Sequence, residues 1–368
     1  MTLPKTMRAM VTMGHGDLDQ MVLHTDWPRP EPAAGEVLIR VGACGLNNTD
    51  VNTRSGWYSK TVTDATTGNA FEDVGEDDPT WGGVPISFPR IQGADVCGEI
   101  VAVGTGVDPA RIGERVITDG WLRDADDLDD INKTGYFGSE RDGGFAEYTT
   151  TPARNALAVQ SDLSDAELAT FSCSYSTAEG MLTRAQVTDA DIVLVPGASG
   201  GVGGALVQLA KRRGARVIAM ASDAKHQDVS ALGPDKILSR APDNLRTALG
   251  DEKVTVVADV VGGPYWPTLI DILERGGRYT CSGAIAGPMV DLDLRTLYLR
   301  DLTFTGSTVI TPEVMPNLIG YIEAGEIKPA LAATYPLDQL REAQAAFIAK
   351  THTGNIVVVP NAHEENLP

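Results

Sequence analysis

Ile192-Val-Leu-Val-Pro-Gly-Ala-Ser-Gly-Gly-Val-Gly203 runs from a short unbroken apolar segment through a glycine-rich turn into the start of a helix. A dinucleotide's pyrophosphate needs the backbone to come close, and side chains would block that approach. It also gains from free N–H groups and from the positive end of a helix dipole. Gly197, Gly200, Gly201 and Gly203 offer both, so Gly197, Ala198, Ser199, Gly200, Gly201, Val202 and Gly203 are expected to wrap the pyrophosphate. Ala198 departs from the strict G-x-G-x-x-G spacing, and the strand before and helix after carry the reading instead. The alternative is a tight strand–helix turn without a ligand.

Moving outward, Ala205–Lys211 reads as helix, and Arg216–Met220, Val254–Ala258 and Gly277–Cys281 as further strands. Apolar strands separated by helices predict a parallel sheet covered on both faces, the doubly wound α/β arrangement. An acid at the end of the second strand would hold the ribose hydroxyls of NAD. Here the strand ends in Ala221-Ser222, and Ser222 with Lys225 suits a 2′-phosphate, although Asp223 argues the other way. NADPH is therefore expected over NADH. Val261-Gly262 and Ser282-Gly283-Ala284 follow strand ends, where open α/β sheets bind ligands; ordinary turn geometry would also place glycine there.

The chain from Arg8 to about Ala156 is β-rich, with strands at Val37–Val41 and Glu99–Val103. Two stretches look inserted. Residues 59–90 carry Glu72, Asp73, Glu76, Asp77 and Asp78; residues 121–142 are acidic but hold Trp121, Tyr136 and Phe137, which predicts a packed lobe. Ser164 and Glu167 form a capping box. A helix near Met315–Ala324 and a strand at Asn355–Val359 close the chain. The expected domains are a β-rich one, 1–157 with 311–368, and a dinucleotide-binding one, 158–310.

With 368 residues, 42% hydrophobic and 22% charged, the sequence suits a globular protein with two cores. A net charge of −20 disfavours nucleic acid and anionic membranes. No membrane span and no export signal stand out, so the cytoplasm is the expected location. Cys44, Cys97, Cys173 and Cys281 are widely spaced and read as free thiols.

Gly35–Val41, Ala43–Asp50, Gly93–Gly98 and Gly197–Gly203, with Asp259–Gly263 and Gly354–Val358, together resemble the medium-chain dehydrogenase/reductase superfamily. The resemblance implies a GroES-like catalytic domain beside a Rossmann domain. Zinc members carry Cys where this chain has Asn47 and His where it has Ala94; only Cys173 matches a ligand position, with Asp95 nearby. The lobe at 121–142 has no cysteine for a structural zinc. The chain is thus similar to the zinc-independent quinone oxidoreductases and enone reductases, which share Asn47 and a stretch like Arg54-Ser-Gly-Trp-Tyr58. The resemblance implies metal-free hydride transfer from NADPH to a quinone or α,β-unsaturated carbonyl. A zinc-type alcohol or aldehyde dehydrogenase and a non-catalytic dinucleotide-binding protein remain as rivals.

Without a Lewis acid, hydrogen-bond donors must stabilise the anion that forms. Asn47 and Tyr58 are the expected donors, though Asn47 could simply cap a turn and Tyr58 could pack under the insertion. Asp50 is expected to bind backbone. Asp95 is a structural acid, and Cys173 an inert thiol or a nicotinamide neighbour. Family analogy places Thr177 at the nicotinamide end. Thr303–Ser307 reads as an edge strand of the cofactor sheet, where family members pair, so a homodimer is expected.

Overall fold

The computed structural model describes residues 3–71, 74, 83 and 85–360. The chain divides into two compact units: Met1–Val62 with Thr67–Cys173 and Met315–Pro368, and Thr63–Thr66 with Ser174–Val314. Among the described residues no helix is long and apolar enough to cross a membrane.

Residues 158–173 group with the β-rich unit, not with the cofactor unit as the sequence reading had them. Arg115 explains it. Its Nε donates to Asp165 Oδ1 at 2.7 Å, and its other nitrogens donate to the carbonyls of Ser161 and Leu163 at 3.0 and 2.6 Å. The same packing excludes a side chain at Gly45, where a Cβ would lie 2.3 Å from the Ala169 carbonyl oxygen.

The second unit holds six parallel strands in the spatial order Lys236–Ser239, Arg216–Ala221, Ile192–Pro196, Val256–Asp259, Arg278–Cys281 and Thr303–Gly306. Val193, Leu194, Val195, Ile218, Met220 and Val257 are fully buried, as the unbroken apolar runs predicted. Chain direction through the sheet reverses at Ile192–Pro196, which makes its carboxyl end the switch point where such sheets take ligands. Thr303–Gly306 is the last strand, as expected.

In the first unit a mixed sheet is built around Glu36–Gly45, which pairs antiparallel with Asp95–Val103, Tyr148–Pro152 and Asn355–Val359. Val37, Ile39, Val41, Val96, Ile100 and Val116 supply its core. The helix Asn48–Ser55 follows Gly45 after two residues, and the register sets Gly45 opposite Asp95. That pairing brings the start of the helix to the start of the neighbouring strand.

Arg54 is fully buried on this helix. Its guanidinium donates to Gln344 Oε1 at 3.1 Å, to the Gly68 carbonyl at 2.9 Å and to the Gly16 carbonyl. A buried cation needs such acceptors, and here they tie the beginning of the 59–90 insertion to the helix. Glu72, Asp73, Glu76, Asp77 and Asp78 lie outside the described residues. In the second insertion Trp121–Leu122 pairs with Gly135–Tyr136. Trp121, Tyr136 and Phe137 are buried, which makes it a packed lobe.

Candidate active site

The glycine turn has the shape a pyrophosphate requires. Gly197 sits at φ +67°, and a Cβ there would also lie 2.9 Å from Val261 Cγ2. At Gly203 a Cβ would stand 2.2 Å from the Gly197 carbonyl oxygen, so nothing larger than glycine fits at the first turn of the helix Gly201–Arg212. Gly200 is exposed, and a Cβ built on it would meet nothing closer than the Gly197 carbonyl oxygen at 3.6 Å. The space over the turn is therefore open beside a twelve-residue helix whose first N–H groups have no partner within the helix. Ser199, Gly201 and Val202 are half-buried around it. Ala198 differs from its neighbours: it is buried and its N–H donates to the Met220 carbonyl at 3.0 Å, so it shapes the turn and offers no N–H to a ligand.

Asp259, at the end of the adjacent strand, holds the next loop. Its carboxylate accepts the Val261 N–H at 2.7 Å, the Gly262 N–H at 3.1 Å and the Tyr279 hydroxyl at 3.0 Å. Burial raises its pKa and these donors oppose the rise. Gly262, at φ +61°, packs against the Ala284 side chain and the Gly287 carbonyl, where a Cβ would come within 3.2 and 3.0 Å. The Val261–Gly262 and Ser282–Ala284 segments thus form one rim of backbone. Thr177 is half-buried on the helix Ser172–Arg184.

At the ribose end of the sheet Asp223 is committed elsewhere: Ser239 Oγ donates to its Oδ1 at 2.6 Å, and His226 Nε2 lies 3.6 Å away. Ser222 and Lys225 are half-buried. The Lys225 ammonium is pushed below its ordinary pKa by burial, opposed by Asp228 and reinforced by the positive charge of Arg240. Arg240 was not singled out from sequence. It follows the short strand Lys236–Ser239 and brings a second cation near Lys225. Two neighbouring cations beside a serine are groups to which a phosphate could bind.

In the first unit the donors and acids gather around Asn47, which caps the helix Asn48–Ser55. Asp50 Oδ2 accepts the Asn47 backbone N–H at 2.8 Å, and Asp50 Oδ1 accepts the Gly93 N–H at 3.2 Å, in line with its expected backbone role. Asp95 Oδ1 accepts the Cys173 N–H at 2.9 Å. Both carboxyls are buried. Desolvation raises Asp50 to about 7 and Asp95 to about 8, with the charge of Asp50 adding to the rise at Asp95 and the Asn47 amide moderating it. Around neutral pH this pair retains a proton. The buried Asn47 amide faces Asp95 and eases charge on it, at less than ideal hydrogen-bond geometry.

Tyr58 is 36% exposed overall, but its hydroxyl bonds to the Asn52 side chain and feels Cys173 and Asp50. Loss of water around the hydroxyl moves the phenol above its usual range, which keeps it a proton donor. Asn47 and Tyr58, named from sequence, do belong to one cluster. Tyr136 joins them from the inserted lobe: its hydroxyl bonds to the Cys173 thiol. Cys44 and Cys97 are core residues.

Zinc favours thiolate, imidazole and carboxylate donors. Asn47 and Ala94 provide neither thiolate nor imidazole, and Asp95 already accepts the Cys173 N–H. Among the described residues no group of three or more His, Cys, Asp or Glu is placed to hold a metal ion.

Known proteins resemble both units. An alcohol dehydrogenase GroES-like domain model matches residues 33–161, and a zinc-binding dehydrogenase model matches residues 201–324. The crystal structure of a candidate alcohol dehydrogenase from Sinorhizobium meliloti 1021 is 47% identical, covers 98% of each chain and superposes with a TM-score of 0.88. An NADPH-dependent alkenal/one oxidoreductase from Arabidopsis thaliana is 26% identical over 98% of this chain and 81% of its own. A quinone oxidoreductase from Rattus norvegicus is 25% identical over 94% of each.

Proposed function

Because this chain belongs to the medium-chain dehydrogenase/reductase superfamily, in its alcohol dehydrogenase-like form, we propose that it reduces a quinone or α,β-unsaturated carbonyl with NADPH and without a metal ion. The observation that carries this reading is the Asn47 amide, buried against Asp95 in one cluster with the Tyr58 and Tyr136 phenols, at a position where zinc members carry a thiolate. An oxygen that becomes an anion is a stronger acceptor than the protonated carboxyl the amide faces at rest, so the amide gains by turning to it. The names of the Arabidopsis and rat relatives point to the same substrates.

The bound dihydronicotinamide supplies the hydride. The turn at Gly197–Gly203 would hold the pyrophosphate, and Ser222, Lys225 and Arg240 would hold the 2′-phosphate. The rims at Val261–Gly262 and Ser282–Ala284, with Thr177, line the nicotinamide end. Asn47 Nδ2 would donate to the carbonyl oxygen as it becomes an enolate or hydroquinone anion, and the Tyr58 hydroxyl would supply the proton and regain one from water.

The test is a panel of enones, quinones and primary alcohols assayed with each nicotinamide cofactor, alongside metal analysis. Enone or quinone turnover with NADPH that survives chelator is expected. One tightly bound zinc per chain with chelator-sensitive alcohol oxidation would overturn the reading, as would tight cofactor binding with no turnover.

We also propose a homodimer formed by a second copy at Thr303–Gly306. An edge strand offers its unpaired N–H and C=O groups to an identical strand. Beside it in sequence Met289, Leu294, Tyr298 and Leu299 are between 57% and 69% exposed, an apolar run that an isolated soluble chain would rarely leave to water. Leu294→Asp with Tyr298→Asp should convert a dimer into a monomer in light scattering; an unchanged mass would remove this face from the interface.

A further inference from the structure

We propose that Tyr136 is a further catalytic donor for this reaction: its hydroxyl, carried in by the lobe, binds the substrate oxygen together with the Asn47 amide. The proposal rests on the metal-free reductase reading.

The lobe is built to fix one phenol. The Tyr136 N–H donates to Glu140 Oε2 at 2.7 Å, and the Phe137 N–H donates to the Gly120 carbonyl at 2.9 Å. The Trp121 ring packs on the Tyr136 ring edge-on, with centroids 4.9 Å apart. Gly120 makes room for the ring, since a Cβ there would lie 2.9 Å from Cε2, 3.2 Å from Cζ and 3.3 Å from the hydroxyl oxygen. If the ring only filled space, phenylalanine would serve as well and would spare the cost of burying a hydroxyl.

The hydroxyl points into the acid cluster. It bonds to the Cys173 thiol and feels the charges of Asp95 and Asp50, the groups that surround Asn47. Tyr58 feels Cys173 and Asp50 as well, so two phenols from distant parts of the chain face one thiol. A thiol is a weak hydrogen-bond acceptor. An enolate or hydroquinone oxygen is a far stronger one. The Tyr136 hydroxyl therefore exchanges a weak bond for a strong one as negative charge develops. Burial keeps the phenol protonated, so it enters the reaction as a donor.

The experiment compares wild type with Tyr136→Phe, which keeps the ring on Gly120 and Trp121. Two readouts are taken: kcat for the best enone or quinone, and the affinity for para-nitrophenolate, an unreactive mimic of the hydroquinone anion. A loss of about 10- to 100-fold in kcat is expected, less than for a sole oxyanion donor because the Asn47 amide remains, with unchanged KM for NADPH and about tenfold weaker para-nitrophenolate binding. Gly120→Ala, which pushes the phenol aside, should lower both in the same sense and keeps the question open to test if Tyr136→Phe does not fold. If kcat and analogue affinity stay within about twofold of wild type, the proposal is overturned. It is likewise overturned if kcat falls with Tm while analogue affinity holds, the mark of a packing role. A wild-type enzyme that reduces no enone or quinone would instead overturn the underlying reading.

Discussion

Asn47→Ala is expected to lower kcat for enone or quinone reduction by about 10²- to 10³-fold, the range for loss of one preorganised oxyanion donor. NADPH affinity should stay unchanged. The substitution removes an amide that is 7% exposed and that faces Asp95 outside ordinary hydrogen-bond geometry. Its side chain also takes part in the capping box at the start of the helix, so Tm should fall modestly, as expected for a lost cap of about 1 kcal/mol. The other half of the box survives, because the bond to Asp50 Oδ2 comes from the Asn47 backbone N–H, which alanine retains. Asn47→Asp should be at least as damaging. It would set a third carboxyl beside Asp50 and Asp95, where burial already resists charge, and an acceptor where a donor is needed. The checks are steady-state kinetics, cofactor titration by fluorescence and thermal melting. If NADPH affinity falls in step with turnover, Asn47 belongs to the fold and not to the reaction.

The difference between what sequence revealed and what it hid follows from chain distance. The pyrophosphate turn could be read directly because its constraint is local: Gly203 must be glycine on account of Gly197, six residues earlier. Asn47 and Tyr58 were also legible, being close to one short helix. The acid cluster was not. Asp95 reaches Asn47 only through the strand register that sets it opposite Gly45, and Tyr136 only through the fold of the lobe. No periodicity encodes either. Arg240 was hidden for another reason. Lys236-Ile-Leu-Ser239 is a four-residue strand with polar ends, too short to announce itself, so the residue that follows it could not be assigned to the ligand end of the sheet. The capping box at Ser164 was read correctly, but which unit that helix joins depends on Arg115, far away in sequence.

Replacing both Lys225 and Arg240 with alanine is expected to weaken NADPH binding by about 100-fold while changing NADH binding less than about threefold. A 2′-phosphate carries nearly two negative charges at neutral pH. Hydrogen bonds to charged groups contribute about 1.5–3 kcal/mol each, and every 1.4 kcal/mol is tenfold in affinity. Arg240 is exposed, so solvent screening reduces its share, and two contacts are assigned the effect that one buried pair would give. The sign follows from the resting state. Lys225 holds its proton less firmly than a free lysine, because burial and the Arg240 charge both work against it. An arriving phosphate relieves that repulsion, which NADH cannot do. Asp223 gives NADH no large share of compensation, since its Oδ1 already accepts the Ser239 hydroxyl. Calorimetric titration with both cofactors at two salt concentrations decides the matter, and the NADPH term should shrink at high salt. Equal losses for the two cofactors, or a wild-type preference for NADH, would remove the phosphate from this end of the sheet.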